Sequence, residues 1–228
     1  MTSPIDPIRQ TNRDETLSLG KRTLFLVLVC CIQLIYIPTS IRTTGGIEPK
    51  LSIDVFPVWP IWVVPYLLCY LFWLFSSLWA MLKMEDRLFR GLVAACLLMF
   101  AVANATFILF PTYVRQMTFQ GDDIFTSLLR MVHEEWGRYS AFPSGHIYIT
   151  TLLVLFLGRS YPRQRFLWTV ILIVISLSTL FTGQHYILDV LGGYGIAFAG
   201  YYFGLWWAGL LRTQNLSDKT HLSLPPAP

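Results

Sequence analysis

The chain has 228 residues, of which 54% are hydrophobic and 13% are charged, and its formal net charge is +4. Ordinary soluble domains carry about 25% charged residues, so these proportions exclude a water-soluble globular protein of this size. The apolar residues form blocks close to the roughly 20 residues that cross a bilayer. The sequence therefore predicts a polytopic membrane protein.

Six apolar blocks are predicted to form transmembrane helices. In chain order they cover 22–41, 58–82, 88–110, 143–158, 166–184 and 187–210. The polar residues 1–20 lack the apolar stretch of a signal peptide and are predicted to be a cytosolic tail. The polar tail 212–228 is predicted to be disordered. Residues 21–211 are then one all-α, six-helix catalytic membrane domain, with a bundle-type active site at the outer surface.

The longest predicted loop, 111–142, joins the third and fourth spans. Its segment Ile124–Trp136 has apolar residues at helical spacing, which predicts a short helix lying on the membrane surface. His133 and Glu134 are expected on the solvated polar face of that helix. Arg138 is expected to contact headgroups and is a further candidate ligand for a substrate phosphate.

The basic residues predict the orientation of the chain. With the N-terminus inside, most of the 17 lysines and arginines fall in inside segments. Both termini are then cytosolic. Arg115, His146 and His185 share the opposite face, which is extracytoplasmic or lumenal.

The fourth predicted span begins with the tetrapeptide Pro143-Ser144-Gly145-His146. Proline favours the first turn of a helix. The backbone N–H groups of Ser144 and Gly145 are then open at a helix N-terminus, where partial positive charge suits a phosphate. An imidazole such as that of His146 can titrate near neutral pH, so this segment is a candidate catalytic element.

A second motif lies where the fifth predicted span gives way to the sixth, at His185 and Asp189. Residues four apart share one face of a helix. The carboxylate can therefore orient the imidazole and leave the other ring nitrogen free to attack. With His146 at the same surface, His185 completes an acid and nucleophile pair, which predicts an enzyme. Tyr186 is expected to pack near this site.

These motifs resemble the three-part signature of the type 2 phosphatidic acid phosphatase superfamily: Lys-x6-Arg-Pro, Pro-Ser-Gly-His and Ser-Arg-x5-His-x3-Asp. The middle part is intact at 143–146. The third part matches at Ser178, His185 and Asp189, and Arg115 fits the arginine of the first part.

The resemblance covers about residues 50–205 and departs from the signature at both other cationic positions. Ile108 stands where the signature has lysine, Thr179 stands where it has arginine, and Gln116 replaces the proline. The segment 182–186 is more similar to the branch that contains inositol phosphorylceramide synthase and its bacterial relatives. Members of that branch often transfer a phosphate-bearing head group to a lipid alcohol.

The resemblance implies a metal-independent mechanism without a cofactor. His185 would attack phosphorus and form a phosphohistidine, Asp189 would orient His185, and His146 would protonate the leaving group. Arg115 and the amides at the start of the fourth span would hold the phosphoryl oxygens. Arg115 as a simple interface anchor is the open alternative.

Three functions compete on this reading. The first is a membrane phosphatase of phospholipid metabolism that hydrolyses a lipid phosphate or diphosphate. The second is a head-group phosphotransferase similar to inositol phosphorylceramide or sphingomyelin synthases, and the third is a non-enzymatic transporter or scaffold for anionic lipid. The expected partners are a phosphorylated lipid substrate and the bilayer, with no nucleic acid. The lipid, its acceptor and the oligomeric state stay open.

Overall fold

The computed structural model describes residues 16–41, 45–135 and 139–211. Within these ranges the protein is all-α: 72% of the described residues are helical and none forms a strand. One isolated parallel bridge joins Ile47 and Thr112. The all-α prediction is confirmed, while most of both predicted tails lies outside the described residues.

The described ranges contain eight α-helices, named here in chain order. They are α1 (Leu19–Gln33), α2 (Tyr36–Ser40), α3 (Val63–Lys83), α4 (Asp86–Leu109), α5 (Ile124–Glu135), α6 (Gly145–Ser160), α7 (Arg165–Phe181) and α8 (Ile187–Trp207). Short 3-10 turns with proline at their first position, Pro60–Trp62 and Pro162–Gln164, lead directly into α3 and α7. Proline suits such a start because its N–H would be unpaired there in any case.

Four stretches in the described residues are long and apolar enough to cross a membrane. They are Leu19–Ser40, Pro60–Lys83, Asp86–Leu109 and Pro162–Phe181. The described residues therefore contain four candidate membrane-spanning helices, and the prediction of six spans is not confirmed. The α6 helix has only 16 residues, and α8, with 21 residues, is not among the four stretches. Both stay predicted spans, as does the side of the membrane that the histidines face.

The centre of the bundle is the packing of α4 along α8. A Cβ atom added to Gly204 would lie 2.2 Å from the carbonyl oxygen of Gly91, so the two backbones are in direct contact. Phe89, Met99 and Phe156 are almost fully buried in the core around this contact. Small residues therefore let these helices approach as closely as membrane helices do at glycine-rich crossings.

The predicted surface helix forms as α5, although Trp136 lies outside the described residues. The Asp123 carboxylate accepts hydrogen bonds from the backbone N–H groups of Phe125 and Thr126, at 3.0 and 3.1 Å, which caps the start of the helix. Leu129 and Val132 are buried against the start of α3. This packing holds α5 against the end of the bundle that carries both histidines, which we call the histidine end.

Candidate active site

His185 and Asp189 lie together at the start of α8. The Nδ1 atom of His185 is 3.4 Å from Oδ2 of Asp189, and the two side chains are 9% and 0% exposed. The same carboxylate oxygen accepts the backbone N–H of Tyr186 at 2.8 Å. That bond holds the carboxylate in place behind the imidazole. His185 lies two residues before α8 begins, and its Nδ1 has no hydrogen-bond partner among the described residues, so the orienting bond from Asp189 stays a prediction.

The backbone before His185 is fixed by the last turn of α7. The carbonyl oxygen of Thr179 accepts the N–H groups of Gln184 and His185, at 3.1 and 3.2 Å. Gly183 has φ +68°, a left-handed conformation that glycine adopts without strain. The chain can therefore reverse between α7 and α8 within five residues and still aim His185 into the bundle.

His146 is the second residue of α6 and is buried. Its Nε2 atom lies 3.0 Å from the hydroxyl oxygen of Tyr70 in α3. The Tyr66 ring stacks on the imidazole with centroids 4.2 Å apart. No described residue bonds Nδ1 of His146, so one ring nitrogen is held by the protein and the other is available to a ligand.

The fold brings the two histidines together, although they are far apart in sequence. Their ring centroids are 5.8 Å apart with an interplanar angle of 61°. Gly193 makes this approach possible, because a Cβ atom there would lie 2.8 Å from Cβ of Ile147. The N–H of Ser144 also donates to the carbonyl oxygen of Asp189 at 3.0 Å, which ties the start of α6 to the start of α8. The two imidazole rings therefore form one cluster at the histidine end, which is the candidate site.

The expectation that the N–H groups of Ser144 and Gly145 are both open is wrong for Ser144. Its N–H is already bonded to Asp189, as described above. Its Oγ atom is instead buried without a hydrogen-bond partner among the described residues. Gly145 N–H keeps no such partner in the described part of the chain. Ser144 therefore offers a hydroxyl to a ligand, and Gly145 offers a backbone amide.

Arg115 lies beside the site but is loosely held. Its side chain is 77% exposed, and Nη2 is 3.5 Å from Oε2 of Glu48. The Tyr186 hydroxyl donates to Oε1 of the same carboxylate at 2.5 Å. Burial, together with the charge and hydrogen bond of Glu48, raises the pKa of the Tyr186 hydroxyl, so it stays a donor. Tyr186 thus connects the second motif to Arg115 through Glu48.

Ser178 and the two replacement positions, Ile108 and Thr179, do not contribute side chains to this cluster. The Ser178 hydroxyl is fully buried and donates to the carbonyl oxygen of Ile175 at 2.7 Å, so it is part of the α7 backbone network. Arg138 lies outside the described residues. Ile108 is 51% exposed, and Thr179 is fully buried with its hydroxyl bonded to the Ser176 carbonyl. Neither replacement position offers a cation.

The expectation that His133 lies on a solvated face is wrong. Its side chain belongs to a buried residue, 5% exposed, and Nε2 lies 2.9 Å from the carbonyl oxygen of Thr182. A carbonyl can only accept, so Nε2 carries the hydrogen. Burial lowers the pKa of His133, and the bond to Thr182 opposes that shift. Gln116 donates to the His133 carbonyl at 2.7 Å, so α5, the Arg115 loop and the His185 turn are joined.

Sequence reasoning missed three residues that support the site. Tyr70 bonds His146, and Glu48 pairs with Arg115, as described above. Asp54 is buried and accepts the N–H of Ile187 at 2.9 Å, which caps the start of α8. Acidic residues in an otherwise apolar stretch were the available signal for Glu48 and Asp54. Nothing in the spacing of the chain pairs Tyr70 with His146.

Among the described residues, no three His, Cys, Asp or Glu side chains are grouped so that they could hold a metal ion. The arrangement can instead supply an oriented imidazole, a second imidazole, a hydroxyl, an amide and one guanidinium to a ligand.

The helices and the paired buried histidines define a helical membrane protein with a candidate phosphate-transfer site at one end. The chain belongs to the PAP2 superfamily, since the model of a PAP2-superfamily family matches residues 59–203. The superfamily resemblance is thereby confirmed, and membership indicates a phosphatase-type function in a membrane-associated protein. The inositol phosphorylceramide synthase-like branch stays a prediction. A comparison with curated proteins finds no match.

Proposed function

We propose that this protein hydrolyses a lipid phosphate or lipid diphosphate through a phosphohistidine on His185. The observation that carries the proposal is the pair of buried imidazole rings, 5.8 Å apart, with a carboxylate 3.4 Å from one of them. Asp189 backs one ring and the Tyr70 hydroxyl holds the other. These different partners suit the two rings to different roles, nucleophile and acid.

In the first step, Nε2 of His185 attacks phosphorus. The bond between phosphorus and nitrogen forms as the bond to the leaving lipid oxygen breaks. Protonated His146 gives its proton to that oxygen. The Asp189 carboxylate balances the positive charge that develops on the His185 ring, as a triad carboxylate does for its histidine.

In the second step, water takes the place of the departed lipid. Neutral His146 accepts a proton from the water molecule while the water oxygen attacks phosphorus. The bond between phosphorus and Nε2 breaks, and the electron pair returns to His185. Inorganic phosphate leaves, and both histidines return to their starting protonation states.

Negative charge on the phosphoryl oxygens requires donors that are already in position. Among the described residues, the groups available for this purpose are the guanidinium of Arg115, the N–H of Gly145 and the otherwise unpartnered Oγ–H of Ser144. Only one of these three carries a positive charge.

Transfer of a head group to a lipid alcohol is the second candidate, and the thin cationic cover favours it. Arg115 is partly neutralised by Glu48, and the two other signature cations are absent. Such a site suits a phosphodiester, which carries less charge than a phosphate monoester dianion. A lipid hydroxyl would then replace water in the second step.

Product analysis in vesicles separates these candidates. Purified protein is incubated with phosphorus-labelled phosphatidate or a labelled phosphodiester lipid, with and without a lipid alcohol. A phosphatase releases free phosphate without the alcohol, whereas a phosphotransferase makes a new labelled phospholipid only with it. His185→Ala serves as the inactive control. If folded wild-type protein forms neither product from any member of a lipid phosphate panel, the enzymatic proposal is wrong.

A further inference from the structure

A cleft lies at the opposite end of the bundle from the histidines. It has a volume of about 250 Å³ and opens between α6, α7 and α8. His146 lies in the first turn of α6 and Arg159 in its last turn, so at 1.5 Å per residue Arg159 is about 20 Å along the helix from His146. We call this the basic end, because Arg159 and Arg165 both line the cleft.

The two arginines line the cleft without a carboxylate partner among the described residues. Nε of Arg165 donates to the carbonyl oxygen of Gly158 at 3.1 Å, which lays the side chain across the end of α6. Arg159 bonds no described residue. The described acids at this end are used elsewhere, since Asp86 binds Arg22 and Glu85 caps α4. Both guanidinium groups can therefore bind an anion.

A third donor in the cleft wall also lacks an acceptor. The indole Nε1–H of Trp168 is buried and has no hydrogen-bond partner in the described part of the chain. Buried donors are nearly always paired in folded proteins. Two guanidinium groups and an indole N–H together match the acceptor oxygens of a phosphate.

The other wall of the cleft is apolar. Val154, Leu155 and Tyr201 line it, and they belong to helices packed in the predicted membrane domain. The volume is below the range of about 300–1,000 Å³ typical of pockets for whole drug-sized ligands. The cleft therefore suits a headgroup and the first part of an acyl chain rather than an entire lipid.

We propose that this cleft binds the phosphodiester headgroup of an anionic glycerophospholipid, separately from the site at the histidine end. The Arg159 and Arg165 guanidinium groups pair with the phosphate, Trp168 donates a hydrogen bond to it, and the apolar wall contacts an acyl chain. Basic residues at a membrane surface attract anionic lipid in this way. The proposal does not depend on the reaction catalysed at the other end.

The test measures lipid binding to the full-length protein in detergent by native mass spectrometry. The probes are short-chain phosphatidylglycerol, short-chain phosphatidylcholine and inorganic phosphate. All measurements use an Arg115→Ala background, so that binding at the histidine end is weakened. We expect phosphatidylglycerol to bind at least about fivefold more tightly than phosphatidylcholine.

Variants of the cleft sharpen the test. Arg159→Gln and Arg165→Gln are each expected to weaken phosphatidylglycerol binding about fivefold, and Trp168→Phe, which keeps the ring, about threefold. Arg163 lies in the same turn but does not line the cleft, so Arg163→Gln should leave binding unchanged. Thermal unfolding of each variant confirms that it is folded.

Three results would overturn the proposal. Equal weakening by Arg163→Gln would mean that diffuse surface charge attracts the lipid. Equal affinity for phosphatidylcholine would remove the role of net headgroup charge. Displacement of phosphatidylglycerol by inorganic phosphate at the same concentration would mean that the cleft takes a free anion rather than a lipid.

Discussion

The nucleophile half and the phosphate-binding half of the candidate site differ in how firmly the fold holds them. His185 and Asp189 are 9% and 0% exposed and are fixed by backbone bonds from two helices. Arg115 is 77% exposed, and its one described ion pair, to Glu48, is 3.5 Å long. Among the described residues, His185 is therefore held firmly, whereas the arginine proposed to stabilise phosphate charge, Arg115, is exposed and weakly held.

This difference has a chemical consequence. The imidazole of His185 is buried on a fixed backbone beside the carboxylate, so it needs little reorganisation to attack phosphorus. An exposed guanidinium is partly screened by solvent and must be ordered when substrate binds, which lowers its contribution. We call His185 and Asp189 the rigid half of the site and Arg115 with Glu48 the loose half. Removing the rigid half should abolish the reaction, whereas changes in the loose half should lower its rate by degrees.

Apart from removal of the nucleophile itself, the largest effect is expected from Asp189→Asn. The amide can still accept the Tyr186 N–H, so the start of α8 should stay folded, but it cannot balance the charge on His185. We expect kcat to fall roughly ten-thousandfold, the scale seen when a triad carboxylate becomes an amide. The measurement is turnover of a labelled lipid phosphate, with thermal unfolding as the check on folding.

Tyr186→Phe is the matched control for that variant, because it removes the bond to Glu48 and leaves the backbone cap intact. It should cost far less activity than Asp189→Asn. Equal losses in the two variants would mean that the carboxylate has only a structural role.

Arg115→Ala should have the next largest effect. We expect kcat/KM to fall one- to two-hundredfold, equivalent to roughly 3 kcal/mol, toward the lower end of the effect of losing one preorganised donor, because this guanidinium must first be ordered by the substrate. Arg115→Lys should recover only part of this, because an ammonium lacks the planar fork of the guanidinium. Arg163→Gln, at the basic end, is the control and should be unaffected. A loss below about threefold in Arg115→Ala would leave Arg115 as an interface anchor.

A smaller effect is expected from His133, which fixes the Thr182 carbonyl three residues before the proposed nucleophile. His133→Ala should lower kcat by about 10- to 100-fold through misplacement of His185, with little change in KM. His133→Gln can still donate to that carbonyl and should recover most of the loss. A change in KM alone, with kcat unaffected, would contradict the positioning role.

His133 also predicts how stability depends on pH. Its pKa is lowered in the folded protein by burial, so below about pH 6.5 the unfolded chain binds a proton that the folded protein does not. The free energy of unfolding should therefore decrease as the pH falls below that value. His133→Gln should remove this component from a series of unfolding measurements between pH 5 and pH 8, and an unchanged pH dependence would contradict it.

The smallest effect, none, is expected from chelation. The proposed donors are imidazole, guanidinium, hydroxyl and amide groups, so EDTA should not change the rate. A loss of activity in EDTA that magnesium or zinc restores would place a metal in the reaction and would require a different account of how phosphate charge is stabilised.

The sequence predicts the rigid half of the site well because that half is local. His185, Asp189 and Tyr186 lie within five residues, and a helix start fixes their geometry directly. The apolar blocks likewise predict the helices, although only four stretches of the described residues are long and apolar enough to cross a membrane.

The loose half could not be read in the same way, because its contacts join distant segments. Glu48 meets Arg115 and Tyr186 only through the folded loops, and Tyr70 reaches His146 from another helix. His133 is followed by Glu134, which predicts a polar helix face, yet its ring is buried beside Phe119 and the Thr182 carbonyl. The expectation that the Ser144 N–H is open was also wrong, because that N–H donates to the Asp189 carbonyl oxygen in another helix.

The most direct test of the central claim is to trap the phosphorylated enzyme. Protein incubated with a phosphorus-labelled lipid is quenched, digested and mapped by mass spectrometry. We predict an acid-labile, alkali-stable label on His185 in the wild type, more label in His146→Ala with a substrate that has a good leaving group, and none in His185→Ala. A label on another residue, or turnover of a natural lipid by His185→Ala, would contradict the account.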